Sequence, residues 1–124
     1  HGIKRGVLLP VSAPFHCPLM QPAAQAMAAA LEKTAPGTMR VGLYANVTAS
    51  LVSDPAEVAR LLVEQVTGRV RWRESAMAMK AAGISHFVEL GGKVVAPMIA
   101  RSAGDVATLS VVTMADIEAL AKEI

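Results

Sequence analysis

The sequence predicts an α/β fold, a partial parallel sheet with flanking helices, and three observations carry that expectation. Strand-type and helix-type segments alternate along the 124 residues, an order that calls for parallel strands joined by right-handed helical crossovers. The chain is 53% hydrophobic with a mean hydropathy of +0.43, which excludes disorder. Its apolar content is 23 alanines against four aromatics, Phe15, Tyr44, Trp72 and Phe87, which favours close approach of elements over large aromatic clusters. A chain of this length holds one domain and is expected to bury about two-thirds of its unfolded surface.

Each element follows from local signals. Val7 to Val11 reads as a strand. A proline-rich loop leads to a helix from Pro18 or Pro22 to Lys33, with Met20, Ala24, Met27 and Leu31 on one face, and Pro36-Gly37 ends it. Met39 to Val47 reads as a strand. Asp54 then caps a helix with Pro55 at its first position and Glu57 closing a capping box, the helix ending at Thr67-Gly68. A third helix runs from Val70 to Ala82 with Trp72, Ala76 and Met79 inward, and Gly83 provides a left-handed stop. Ser85 to Leu90 is a strand, followed by a Gly91-Gly92 turn and a helix from Lys93 to Arg101 that Pro97 either kinks or enters in its first turn. Val106 to Val112 and Met114 to Ile124 complete the alternation as strand and helix.

Charge and cysteine content exclude several functions. Twelve basic against ten acidic residues leave a net charge of +2, too small for a dedicated nucleic-acid binder. The single Cys17 makes neither an internal disulfide nor a multi-cysteine metal site, and the three histidines show no metal-ligand spacing. Gly6 to Leu31 is free of Asp, Glu, Lys and Arg for 26 residues, but Pro10, Pro14, Pro18 and Pro22 recur through it and exclude a continuous membrane span. With no signal peptide, the expected compartment is the cytoplasm. The chain opens His1-Gly2 without a Met and runs almost at once into a strand, which reads as part of something longer.

Two residues stand out chemically. His16 follows a strand and precedes a helix, where open α/β sheets place their ligands; it is either a catalytic base or a histidine bonded to nearby backbone. Gln65 falls on the face set by Val58, Leu61 and Leu62 in the capped helix, and a core-facing glutamine needs partners. It also sits in the last turn, where main-chain carbonyls are left unpaired. Such a carbonyl accepting from one ring nitrogen of a histidine fixes the tautomer and frees the other as a base, with the negative helix end favouring the imidazolium. The alternative is a glutamine that caps its own helix end.

The strings VSAPFHCPLM, LVEQVTGRVRW and HFVELGGKVV, in that order and spacing, resemble the C-terminal part of malonyl-CoA:acyl-carrier-protein transacylases over nearly the whole chain. The resemblance implies a serine acyl-enzyme, with His16 as its base and the main-chain carbonyl of Gln65 in place of the usual aspartate. It implies malonyl-CoA and acyl carrier protein as partners in fatty acid biosynthesis, coenzyme A thioester as substrate, and no separate cofactor. It makes residues 1–10 the last strand of a small ferredoxin-like subdomain and residues 11–124 the C-terminal half of a large α/β-hydrolase-like subdomain. No G-x-S-x-G elbow occurs in this sequence, so a further partner is the N-terminal half of the same protein, and the chain alone is expected to be inactive. The family's G-P-G-K turn is shortened here to Gly91-Gly92-Lys93.

Phe15 is either a pocket wall or a core aromatic; the resemblance places it before the histidine as in malonyl-selective members, where its bulk leaves little room for an α-methyl. Asn46 matches a family asparagine near the active site, a substrate-binding position. Cys17 is expected to be structural, because adjacent side chains on an extended loop diverge, and His86 to start a strand. Arg69, Arg71 and Arg73 form either a solvated face or a patch for an acidic carrier protein or coenzyme A phosphates. Two other classes stay open: a non-catalytic module docking an acidic partner, or a piece of a polyketide synthase acyltransferase domain.

Overall fold

The computed structural model describes residues 6–8 and 10–123. Among these, a single 3-10 turn at Pro18–Met20 leads into α1 (Gln21–Lys33), β1 (Leu43–Ala45), β2 (Ser50–Val52), α2 (Pro55–Thr67), α3 (Trp72–Ala81), β3 (His86–Leu90), α4 (Val95–Ala103), β4 (Ala107–Val111) and α5 (Met114–Glu123). The α/β class holds. β3 and β4 form a parallel pair in the register Phe87 to Thr108 and Glu89 to Ser110, with α4 as the crossover packed on both.

The strand expected at Val7 to Val11 is absent from the residues described there, which have no ladder partner, and Leu8 is fully exposed. The long strand expected over Met39 to Val47 is a three-residue strand that turns at Asn46 and returns antiparallel as β2, Tyr44 opposite Leu51. This hairpin eluded the sequence reading because its turn contains no glycine or proline; Ala49 instead takes the left-handed conformation at φ 55° and donates 2.8 Å to the Ala45 carbonyl.

Helix ends mostly follow their signals. Asp54 caps α2, its Oδ2 accepting 3.0 Å from the Glu57 N–H. The capping box is only half formed, because the Glu57 carboxylate turns to Arg60, which also pairs with Glu64. Gly83 stops α3 at φ +91°, and Pro97 occupies the third position of α4, where its missing N–H has no role in the helix.

Val58 and Leu61 are buried as expected, whereas Leu62 is 42% exposed over an open cavity. The core is small and alanine-rich: Ala76, Phe87, Ile99 and Ala103 form its centre, with Trp72, Met79, Val95 and Val106 against it. The chain exposes 9195 Å², so it buries about half of its unfolded surface rather than the expected two-thirds. Large apolar side chains are correspondingly open, among them Leu90 at 75% and Val94 at 71%. No helix among the described residues is long and apolar enough to cross a membrane.

Two groups of elements make up the molecule. α1 packs on α2, which packs on β1; α3 packs on α4, and α4 on β3 and β4. The joint between the groups is where β1, the end of α2 and the start of α3 meet, and the candidate site lies there.

Candidate active site

His16 is held by the loop that its prolines dictate. Pro18 forces extended backbone on Cys17, which sits at φ −145° and ψ 169°. His16 itself is left-handed at φ 55°, a conformation that costs a non-glycine residue about 1–3 kcal/mol and marks a position over-determined by its surroundings. The surroundings here include α2: His16 Nδ1 lies 3.0 Å from the main-chain oxygen of Gln65. That oxygen is free because α2 ends immediately afterwards, the last helical bond being Gly68 N–H to Glu64 O at 2.9 Å. A carbonyl only accepts, so Nδ1 carries the proton, and in the neutral ring it is Nε2 that presents the lone pair; no described residue bonds Nε2.

The two readings of Gln65 are both realised, by different parts of the residue. Its carbonyl meets His16, while its side chain caps the helix end, Nε2 donating 3.1 Å to the Gly68 carbonyl. Its Oε1 accepts from Asn46 Nδ2 at 2.7 Å, and Asn46 Oδ1 accepts from the Arg71 N–H at 3.0 Å. Asn46 therefore stands behind the His16–Gln65 pair with both polar ends on protein. It also lines a cavity of about 220 Å³ with Leu43, Tyr44, Val47, Leu62 and Gln65.

Phe15 is 58% exposed among the described residues. The Cys17 thiol donates 3.1 Å to the Pro14 carbonyl within its own loop. His86 opens β3, its Nδ1 2.8 Å from the Ser85 hydroxyl. The arginine cluster is partly structural. Arg71 donates 3.1 Å to the Thr48 carbonyl and Arg69 pairs with Glu74 at 3.4 Å. Arg71 Nε lies 3.5 Å from Glu74 and makes no hydrogen bond among the described residues.

Glu89 escaped the sequence reading. Its Oε1 accepts from the Val94 and Val95 N–H groups at 2.9 and 3.0 Å, and its Oε2 from Ala96 at 2.8 Å. The bonds from Val95 and Ala96 chiefly hold its carboxyl below the usual carboxylate range, against the opposing effect of burial. The signal for it was the lack of a capping side chain at Val94, which leaves the first donors of α4 in need of an acceptor.

No family model matches the sequence. The malonyl CoA-acyl carrier protein transacylase of Haemophilus influenzae is 35% identical over 120 residues, covering 96% of this chain and 38% of its own length. The solved acyl-carrier-protein-S-malonyltransferase of Bartonella henselae superposes with a TM-score of 0.87 at 49% identity, over 98% of this chain and 39% of that one. A malonyl-transacylase solved in complex with a type II polyketide synthase acyl-carrier protein gives a TM-score of 0.89 at 28% identity, over 99% of this chain and 40% of that one. The chain thus spans about two-fifths of the length of such relatives, and on these matches it belongs to the malonyl CoA-acyl carrier protein transacylase family.

Proposed function

We propose that the protein carrying this chain transfers malonyl groups from coenzyme A to the phosphopantetheine thiol of an acyl carrier protein through a serine acyl-enzyme. The observation that carries this reading is the 3.0 Å contact between His16 Nδ1 and the Gln65 carbonyl, which leaves Nε2 as a base directed away from α2. His16 takes the proton of the serine hydroxyl as its oxygen attacks the thioester carbonyl; the C–S bond breaks and the proton returns to the departing coenzyme A sulfur. In the second half His16 deprotonates the carrier thiol, which attacks the acyl-serine, and the proton goes back to the serine. The Gln65 carbonyl cannot take a proton; its dipole, at the negative end of α2, stabilises the imidazolium.

The serine lies outside these residues, in the part of the protein that supplies the nucleophile elbow. In this reading residues 1–10 close a small ferredoxin-like subdomain and residues 11–124 complete the large one. Phe15 falls to the acyl-binding side, and Asn46 stands behind the His16–Gln65 pair with both ends of its amide on protein groups rather than on the acyl group. Coenzyme A thioester is a substrate with no separate cofactor, and the cytoplasm is the compartment. The complex of a related transacylase with its carrier protein supports the assignment of the acceptor.

The test is His16→Ala in the full-length protein, with acyl-enzyme formation followed from labelled malonyl-CoA. The expected loss is about a hundred- to ten-thousandfold; an unchanged rate overturns the reading.

A further inference from the structure

Asn46, Gln65 and two main-chain groups form a chain of hydrogen bonds with only one possible direction. It starts at the Arg71 N–H, which can only donate, and ends at the Gly68 carbonyl, which can only accept. Between them, Asn46 Oδ1 must face Arg71, Asn46 Nδ2 must face Gln65 Oε1, and Gln65 Nε2 must face Gly68, at 3.0, 2.7 and 3.1 Å respectively. Flipping either amide sets like poles against each other at both ends, so neither side chain has a second low-energy orientation. The chain crosses three elements: the turn after β1, the last turn of α2 and the residue that precedes α3. The residue at its centre, Gln65, is the one whose carbonyl meets His16.

We propose that Asn46 is a positioning residue: through the Gln65 side chain it fixes the Gln65 carbonyl, and with it the tautomer and aim of the His16 ring. This rests on the function proposed above. Without Asn46, the last turn of α2 keeps its helical bonds but loses its tie to β1 and α3, and the Gln65 carbonyl is free to move off Nδ1. His16, already held in a left-handed conformation, then samples the other tautomer, in which the proton sits on Nε2 and no base faces the serine.

The experiment uses the full-length protein and three variants. Asn46→Ala removes both bonds. Asn46→Asp keeps the acceptor for Arg71 but sets oxygen against oxygen at Gln65. Gln65→Ala keeps the main-chain carbonyl and removes the chain beneath it. Each is expected to lower kcat roughly 10- to 100-fold with KM for malonyl-CoA unchanged. In each, the ¹⁵N shifts of His16 move from the Nδ1-protonated toward the Nε2-protonated form, a change that a loss of stability alone does not produce. A folded Asn46→Asp or Gln65→Ala protein with wild-type kcat and an Nδ1-protonated His16 overturns the proposal, and these two variants decide the matter if Asn46→Ala does not fold. His16→Ala measured in parallel separates the failures: activity retained there sinks the catalytic reading itself, whereas activity lost there and retained in Asn46→Asp and Gln65→Ala sinks only the role of Asn46.

Discussion

His16 and Gln65, 49 residues apart in the chain, meet side chain to main chain at 3.0 Å. The partner is a carbonyl that any residue carries, so what specifies it is the place where α2 ends rather than the amide that follows it. The identity of Gln65 matters one step further back, where its side chain ties that helix end to Gly68 and Asn46. In the proposed function helix termination is thereby part of the catalytic geometry, and substitutions that move the end of α2 are expected to be read in activity as well as stability.

Gly68→Ala is such a substitution. Gly68 has an ordinary φ of −82°, so its need for glycine is spatial. A Cβ there would stand 2.8 Å from Val47 Cγ2 and 2.9 Å from the Glu64 carbonyl, which is the acceptor of the last helical bond of α2. Backbone cannot yield as a flexible side chain does. The expected cost is about 1–3 kcal/mol, seen as a fall in Tm of several degrees, together with a drop in kcat as the Gly68 carbonyl leaves Gln65 Nε2. A variant that melts and turns over like the parent would mean that the turn absorbs the methyl.

How far the sequence disclosed this arrangement depends on whether the signal was local. Asp54 and Pro55 announce α2, and Ala76 announces the inward face of α3 by spacing alone; both stand as read. His16 and Gln65 were legible because one needs an acceptor and the other stands on a buried face at a helix end. The β1–β2 hairpin was hidden because Ala49 carries the left-handed turn in place of a glycine. The capping of α4 by Glu89 was hidden because the carboxylate comes from five to seven positions upstream, beyond any capping motif. The Asn46–Arg71 bond spans 25 residues between irregular segments, and nothing in the periodicity of either segment points to the other.

Glu89 gives the stability of the chain a pH dependence of known sign. Its folded-state pKa lies below the ordinary value, chiefly through the Val95 and Ala96 N–H groups, so the fold favours the ionised form. That contribution is complete above the unfolded value, about 4.3, and is lost as pH falls through the lowered folded value. Asp116, Glu57 and Glu74 are shifted the same way, so acid destabilises the parent through several groups, and the difference between parent and Glu89→Gln isolates this one. The variant is expected to melt lower at neutral pH, because its amide sets an NH2 among the N–H donors of α4. The gap in Tm is expected to narrow from about pH 5 to about pH 3. A gap constant over that range would show that the neutral carboxyl caps α4 as well as the carboxylate does.

Phe15→Ala separates selectivity from stability. The ring is 58% exposed, so its removal is expected to leave Tm nearly unchanged, unlike a core truncation such as Ile99→Ala, where a side chain 5% exposed is lost at a cost of about 2–5 kcal/mol. If the ring of the residue preceding the proposed base walls the acyl pocket, cutting it to a methyl makes room for an α-branched acyl group. One methyl group in an apolar pocket is worth about 1–3 kcal/mol of discrimination. The ratio of kcat/KM for methylmalonyl-CoA to that for malonyl-CoA, measured in the full-length protein, is therefore expected to rise by roughly tenfold or more. Because the proposed malonyl reaction uses His16 and the Gln65 carbonyl, which the substitution leaves in place, the rise is expected to come from the branched substrate rather than from a collapse of the other. An unchanged ratio would remove Phe15 from the acyl pocket and leave the acyl preference to other residues.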